Sequence, residues 1–250
     1  MMTKNIFKSI DDNPAVYRLC MALILVFAGA VRIIHFVFDP VLSRDGVLYV
    51  LICRDAAALP WVPPLYIKLA KLLHVCGVPY EFAGLWISMM AGILLIIPAM
   101  KIAELCLQKR IWAVAFGIII ALAPKLIDLS IEVQRDSLYL LESALVILFM
   151  LNGMRGKTVS WGFAGFFIAS AIFTRVEGFE FILSCMIAFL ALLLHKERPW
   201  RILARECLLF FTVLLLMLTL YAFLLDDGII SSVSHFHQYF FQRKATIKCL

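Results

Sequence analysis

"LCMALILVFAGAVRIIHFVF", residues 19–38, decides the fold. Apart from Arg32 and His35 it offers water nothing to solvate, and as a helix it reaches about 30 Å, the thickness of a bilayer's hydrocarbon core. Lys4, Lys8 and Arg18 precede it. The run is too long for a signal-peptide core and no small-residue cleavage site follows at the right distance, so an uncleaved first span is predicted. Similar apolar windows recur at 82–100, 111–127, 137–153, 159–174, 179–194 and 207–225.

Composition agrees with these windows. Hydrophobic residues make up 64% of the chain and charged residues 16%, against about a quarter charged in an ordinary soluble domain. No polar tract, repeat or flexible linker separates the windows. Residues 1–250 therefore read as one all-α membrane domain, a bundle of about seven transmembrane helices. The formal charge of +6 does not point to nucleic acid, because the bases are spread through the interhelical joints instead of clustering beside exposed aromatics. Seven cysteines without a CxxC pair read as small apolar fillers.

The joints set the expected orientation. Lys4, Lys8 and Arg18, then Lys101, Lys109 and Arg110, then Arg155 and Lys157, then Lys196, Arg198, Arg201 and Arg205 occupy alternate joints. That side is expected to be cytoplasmic, with the N-terminus, in a plasma (inner) membrane. The remaining short joints carry Asp128, Glu132, Arg135 and Asp136, or Arg175, Glu177 and Glu180, where acids outnumber bases.

The first outer loop, about 39–81, is not a tether. "GVLYVLICRDAAAL" and "PLYIKLAKLLHVCGV" are helical in composition but too short and polar to span. In the second, Lys68, Lys71 and His74 fall opposite Leu69, Leu72 and Leu73, the pattern of a helix lying in the interface. "LPWVPPLY" between them has three prolines and forces a turn.

Ionisable groups beside a membrane need a reason to be there. Arg32 and His35 read as interface anchors. Asp136 can cap the helix that begins at Ser137, Arg175 and Glu177 can pair with each other, and Glu142 is expected to hydrogen-bond a neighbouring helix. Asp45 follows Arg44, precedes Gly46 and opens a helix with Tyr49 one turn on; it can cap that helix or act chemically.

Taken in order, several stretches resemble the GT-C superfamily of polytopic glycosyltransferases, above all the branch of protein O-mannosyltransferases and aminoarabinose transferases that use polyprenyl-phosphate sugars. They are the arginine near the end of the first span, "RDGVLY", "VPPLYIKLAKLL", "ALAPKLIDLSIEVQRDSLYLLE" and "FTRVEGF". The resemblance implies that Asp45 is the catalytic base of the first outer loop, that Asp136 is the acid of the second, and that Arg175 and Glu177 form a turn beside the active cavity. Donor phosphate or acceptor would be met by Arg175, Glu177, Asp136, Arg135, Lys68, Lys71 and Tyr49, with Arg175 the first choice for the phosphate. Many relatives place a second acid beside the first-loop aspartate, where this chain has Gly46. The cofactor is unknown: a divalent metal could join Asp45 and Asp136, but the resemblance does not require one.

The function so implied is inverting transfer of a sugar to a hydroxyl of a glycan, lipid or protein, at the outer face and among membrane lipids. The resemblance also implies further spans and often an external domain beyond position 250, so the chain is expected to be the N-terminal module of such an enzyme. A multi-span transporter, or a non-catalytic or truncated membrane partner, are the alternatives.

Overall fold

The computed structural model describes residues 10–38, 44–55, 62–195 and 198–224. Asp39, the lysines at 4, 8 and 196, Pro60 and the C-terminal stretch from 225 lie outside the described residues, as do the side chains of Arg44 and Asp55. From Pro14 onward the described residues form eleven α-helices: α1 (Pro14–Phe38), α2 (Arg44–Asp55), α3 (Leu65–Val75), α4 (Tyr80–Leu94), α5 (Ile96–Leu107), α6 (Arg110–Leu122), α7 (Pro124–Ile131), α8 (Asp136–Met154), α9 (Thr158–Thr174), α10 (Glu180–Leu194) and α11 (Trp200–Leu224). A 3-10 turn, Val176–Phe179, joins α9 to α10.

Among the described residues five segments are long and apolar enough to cross a membrane: α1, the α4–α5 pair, α8, the 3-10 turn with α10, and α11. The chain is an all-α, multi-pass membrane bundle. The seven predicted windows differ from it in two places, each with a local cause. The window at 111–127 is not one helix, because α6 and α7 meet at a 56° bend. Pro124 disfavours the helical region for the residue before it, and Ala123 is extended at φ −63°, ψ 113°. The window at 159–174 is a helix, α9, but its 17 residues make it short, and residues 168–174 are all buried among its neighbours. The predicted first-loop helices are present as α2 and α3. Helix α3 packs with Tyr66, Ile67 and Ala70, while Leu72 of the expected apolar face stays exposed.

Among the described residues the interior has three apolar clusters. One joins α1, α5 and α6 around Ile96 and Met100; a second joins α2, α3 and α4 around Tyr66; the third joins α8, α9, α10 and α11 around Trp161 and Phe210. In the third, Trp161 stacks on Phe189 with centroids 4.1 Å apart. Helices α9 and α11 touch backbone to backbone at Gly165, where a Cβ would lie 2.8 Å from the Phe210 carbonyl oxygen. Small residues at such crossings are how membrane helices gain contact without a hydrophobic drive between them.

Arg32 is not an interface anchor. It is fully buried, donating from Nε to Ser130 Oγ at 2.9 Å, from Nη1 to the Ala28 carbonyl at 3.1 Å and from Nη2 to the Gly92 carbonyl at 3.4 Å. A buried guanidinium must have its donors satisfied, and α1, α4 and α7 supply the acceptors. His35 does sit at the surface, 3.3 Å from Asp128 of α7. Glu142 and Glu206 are buried as well, and of these two carboxylates only Glu142 has an oxygen, Oε2, without a hydrogen-bond partner.

Candidate functional site

The start of α8, the end of α9 and the first-loop helix α2 meet at one end of the bundle. Arg175 ends α9 in an extended conformation, φ −149°, ψ 140°. The 3-10 turn after it is closed by a bond from the Gly178 amide to the Arg175 carbonyl, 3.0 Å. Gly178 is required there, since a Cβ would come within 2.5 Å of the Ile172 nitrogen. The turn aims the guanidinium back across α8.

All three nitrogens of Arg175 bond a carboxylate, which uses three of its five N–H donors. Nη1 bonds Asp136, Nη2 bonds Glu177 Oε1 at 2.9 Å, and Nε reaches Glu177 Oε2 at 3.3 Å. The group lies 5.4 Å from the Tyr139 ring centroid, and its bond to Glu177 raises its pKa above the usual arginine value. The Arg175–Glu177 pair expected from sequence is present. Asp136 is in the first turn of α8 without a side-chain cap bond, so it serves the ion pair and not the capping role.

The residues 132–135 that lead into α8 are held from behind. The Tyr66 hydroxyl donates to the Gly84 carbonyl at 2.9 Å and lies 3.0 Å from Ser88 Oγ, which donates to the Gln134 carbonyl at 2.8 Å. Gln134 Nε2 donates to Glu132 at 2.8 Å. A buried hydroxyl chain of this kind fixes a loop because each member is costly to leave unpaired. Neither Tyr66 nor Ser88 is a site candidate from sequence. The only signal for either is a hydroxyl on a buried helix face, and that needs the partner helix to be read.

Tyr49 is where the separate stretches meet. Its ring packs edge-on to Tyr66 at 5.4 Å, and burial raises its phenol pKa. Arg135 and Arg175 pull that pKa back down, and Asp136 and Asp45 push it up. One phenol thus feels charges from positions 45, 135, 136 and 175. Asp45 is exposed in the first turn of α2. Arg135 has a buried Nη1 with no hydrogen-bond partner. Lys68 and Lys71 are half-buried on α3. Lys71 faces Cys53 of α2, whose thiol pKa burial raises. Among the described residues no group of three or more His, Cys, Asp or Glu could hold a metal ion.

Residues 60–225 match the family described as dolichyl-phosphate-mannose-protein mannosyltransferase. Asp45 and Tyr49 precede the matched stretch. No curated protein and no solved structure matches the chain. With well over half of its length matched, including the α8 entrance and the Arg175 turn, the chain belongs to the dolichyl-phosphate-mannose-protein mannosyltransferase family.

Proposed function

We propose that the chain transfers a sugar, mannose by the family's description, from a polyprenyl phosphate to a hydroxyl of a glycan, lipid or protein at the outer face of the membrane. The observation that supports this most is the Asp136–Arg175–Glu177 ion-pair cluster at the entrance of α8, with the charges of Asp45 and Arg135 acting on the neighbouring Tyr49. Asp45 accepts the proton of the acceptor hydroxyl as its oxygen attacks the anomeric carbon. The bond from that carbon to the phosphate oxygen breaks, its electron pair leaves with the polyprenyl phosphate, and the configuration inverts. The sugar passes through oxocarbenium-like charge, as in glycoside hydrolysis.

The phosphate needs a cation with donors to give. Arg175, the first choice on sequence, is held on all three nitrogens by Asp136 and Glu177, and in this reading it holds those two carboxylates for acceptor hydroxyls. Arg135 takes the phosphate through its unpartnered Nη1, with Lys68 and Lys71 as further positive charge beside it. A hydrogen bond to a charged group contributes about 1.5–3 kcal/mol. Arg135→Ala should therefore raise the KM for a polyprenyl-phosphate mannose donor roughly 10- to 100-fold with a smaller change in kcat. Steady-state transfer from the labelled donor tests this, and an unchanged donor KM removes Arg135 from the phosphate site.

Orientation has its own test. Cys76 after α3 and Cys106 near the end of α5 are both exposed, at opposite ends of the bundle, while Cys53 is buried. In single-cysteine variants of intact cells, a membrane-impermeant maleimide should label Cys76 and should reach Cys106 only after permeabilisation. Cys53 should stay unlabelled at neutral pH, because the thiolate is the reacting form and burial raises that thiol's pKa. Labelling of Cys106 alone in intact cells would reverse the orientation.

A further inference from the structure

We propose that the end of the bundle opposite the Asp45–Arg175 cluster carries a second binding site, for the phosphate of an anionic phospholipid headgroup. An open cleft of about 850 Å³ lies there, at the far ends of α5 and α8, within the range of small-ligand sites. Its walls hold five bases, Lys101, Lys109, Arg110, Arg155 and Lys157. Against them stand two carboxylates, Asp11 and Glu104.

The carboxylates are already committed inward. Glu104 binds Lys101 Nζ at 2.8 Å through Oε2 and Arg110 Nε at 3.1 Å through Oε1. Asp11 accepts the Ile111 amide at 3.0 Å, and its carbonyl accepts Arg110 Nη1 at 3.0 Å. Arg155 Nη2 caps the Leu105 carbonyl of α5. This framework braces three of the bases and leaves Lys109 and Lys157 on the rim without a partner among the described residues.

Two left-handed positions present that rim. Gln108 at φ 57° ends α5 and is followed by an extended Lys109, and Gly156 at φ 100° turns the chain between Arg155 and Lys157. The cleft is therefore a built concavity with net positive charge. A lipid is favoured over a free phosphate by what flanks it. Leu107 and Trp112 are 54% and 55% exposed on either side of Lys109, and an exposed tryptophan beside basic groups is the usual arrangement at headgroup level. Basic pockets between membrane helices bind anionic headgroups in this way.

The test uses the full chain purified in a zwitterionic detergent, with native mass spectrometry reading the binding of phosphatidylglycerol and phosphatidylcholine of equal chain length. Each lysine near an anionic headgroup contributes about 1 kcal/mol. Lys109→Ala with Lys157→Ala should therefore weaken phosphatidylglycerol binding about 10- to 30-fold and leave phosphatidylcholine binding unchanged. Lys109→Arg with Lys157→Arg should keep the preference, and so should Arg201→Ala with Arg205→Ala, which removes two bases outside the cleft. These controls separate loss of the site from loss of the fold.

Equal binding of the two lipids by the wild-type chain, or a preference that survives removal of both rim lysines, overturns the proposal. Displacement of phosphatidylglycerol by glycerol phosphate at equal concentration overturns the lipid source and assigns the cleft to a soluble phosphate ester.

Discussion

Asp45→Asn should lower the rate of sugar transfer by about 10²–10⁴, the usual worth of general-base help, and leave the amount of protein in the membrane unchanged. The swap keeps the size and position of the side chain and removes only its ability to take a proton. Asp45 is exposed on α2, so its loss takes nothing from the apolar cluster that Tyr49, Ile52 and Cys53 make with α3 and α4. If Asp45 served only as the acid of a first helical turn, the same change would cost under about 1 kcal/mol of stability and none of the rate. The measurement is transfer of radiolabelled mannose from purified polyprenyl-phosphate donor at matched protein levels, wild type against variant. Turnover within about threefold of wild type would strip Asp45 of the role. Asp136→Asn is the informative companion: it weakens the Arg175 pair, so its loss should appear in kcat through misplacement of the Arg175–Glu177 turn while donor KM moves little.

The apolar windows and the proline punctuation carry much of the fold in the sequence itself, since a window of about 20 apolar residues has one stable use in lipid. The places where the sequence misleads are those where the meaning of a charge depends on a partner far along the chain. Arg32 near a span end looks the same whether it reaches headgroups or is folded inward; Ser130, 98 residues away, decides it. The window at 111–127 runs straight through Pro124, and the 56° bend there follows from the Ala123 backbone, which a hydropathy window averages away. At the site, Arg175 and Glu177 are two residues apart and their pairing follows from spacing. The Asp136–Arg175 bond crosses 39 positions, and nothing in the local sequence announces it. The Tyr66–Ser88–Gln134 chain was invisible for the same reason: a hydroxyl on an apolar helix declares nothing until its acceptor is in place.

Arg198→Ala should be strongly destabilising. In the sequence Arg198 is one base among several in a joint, and there it serves as a topology signal. In the fold its side chain is only 13% exposed, and Glu206 beneath it 1%. Arg198 Nη1 meets Glu206 at 2.9 and 2.7 Å, Nη2 donates to the Gly153 and Met154 carbonyls at 3.0 and 2.5 Å, and Thr158 Oγ1 donates to the same glutamate at 3.0 Å. One ion pair thus closes the carbonyl end of α8, the start of α9 and the second turn of α11, satisfying groups that a helix terminus otherwise leaves bare. It also explains why α11 begins at Trp200, well before the apolar window at 207: the pair lets a helix carry a carboxylate into the interior. Removing one partner of a buried pair costs about 3–5 kcal/mol, because the other charge is stranded. At about 2–4 °C per kcal/mol for a chain of this size, Arg198→Ala should lower the melting temperature in detergent by roughly 6–20 °C. Arg198→Met with Glu206→Met should recover most of that loss, since two apolar groups of similar volume leave no charge behind. A fall of less than about 2 °C for the single variant would mean that water reaches Glu206 and that the α8–α9–α11 junction is held by the Trp161–Phe210 packing alone.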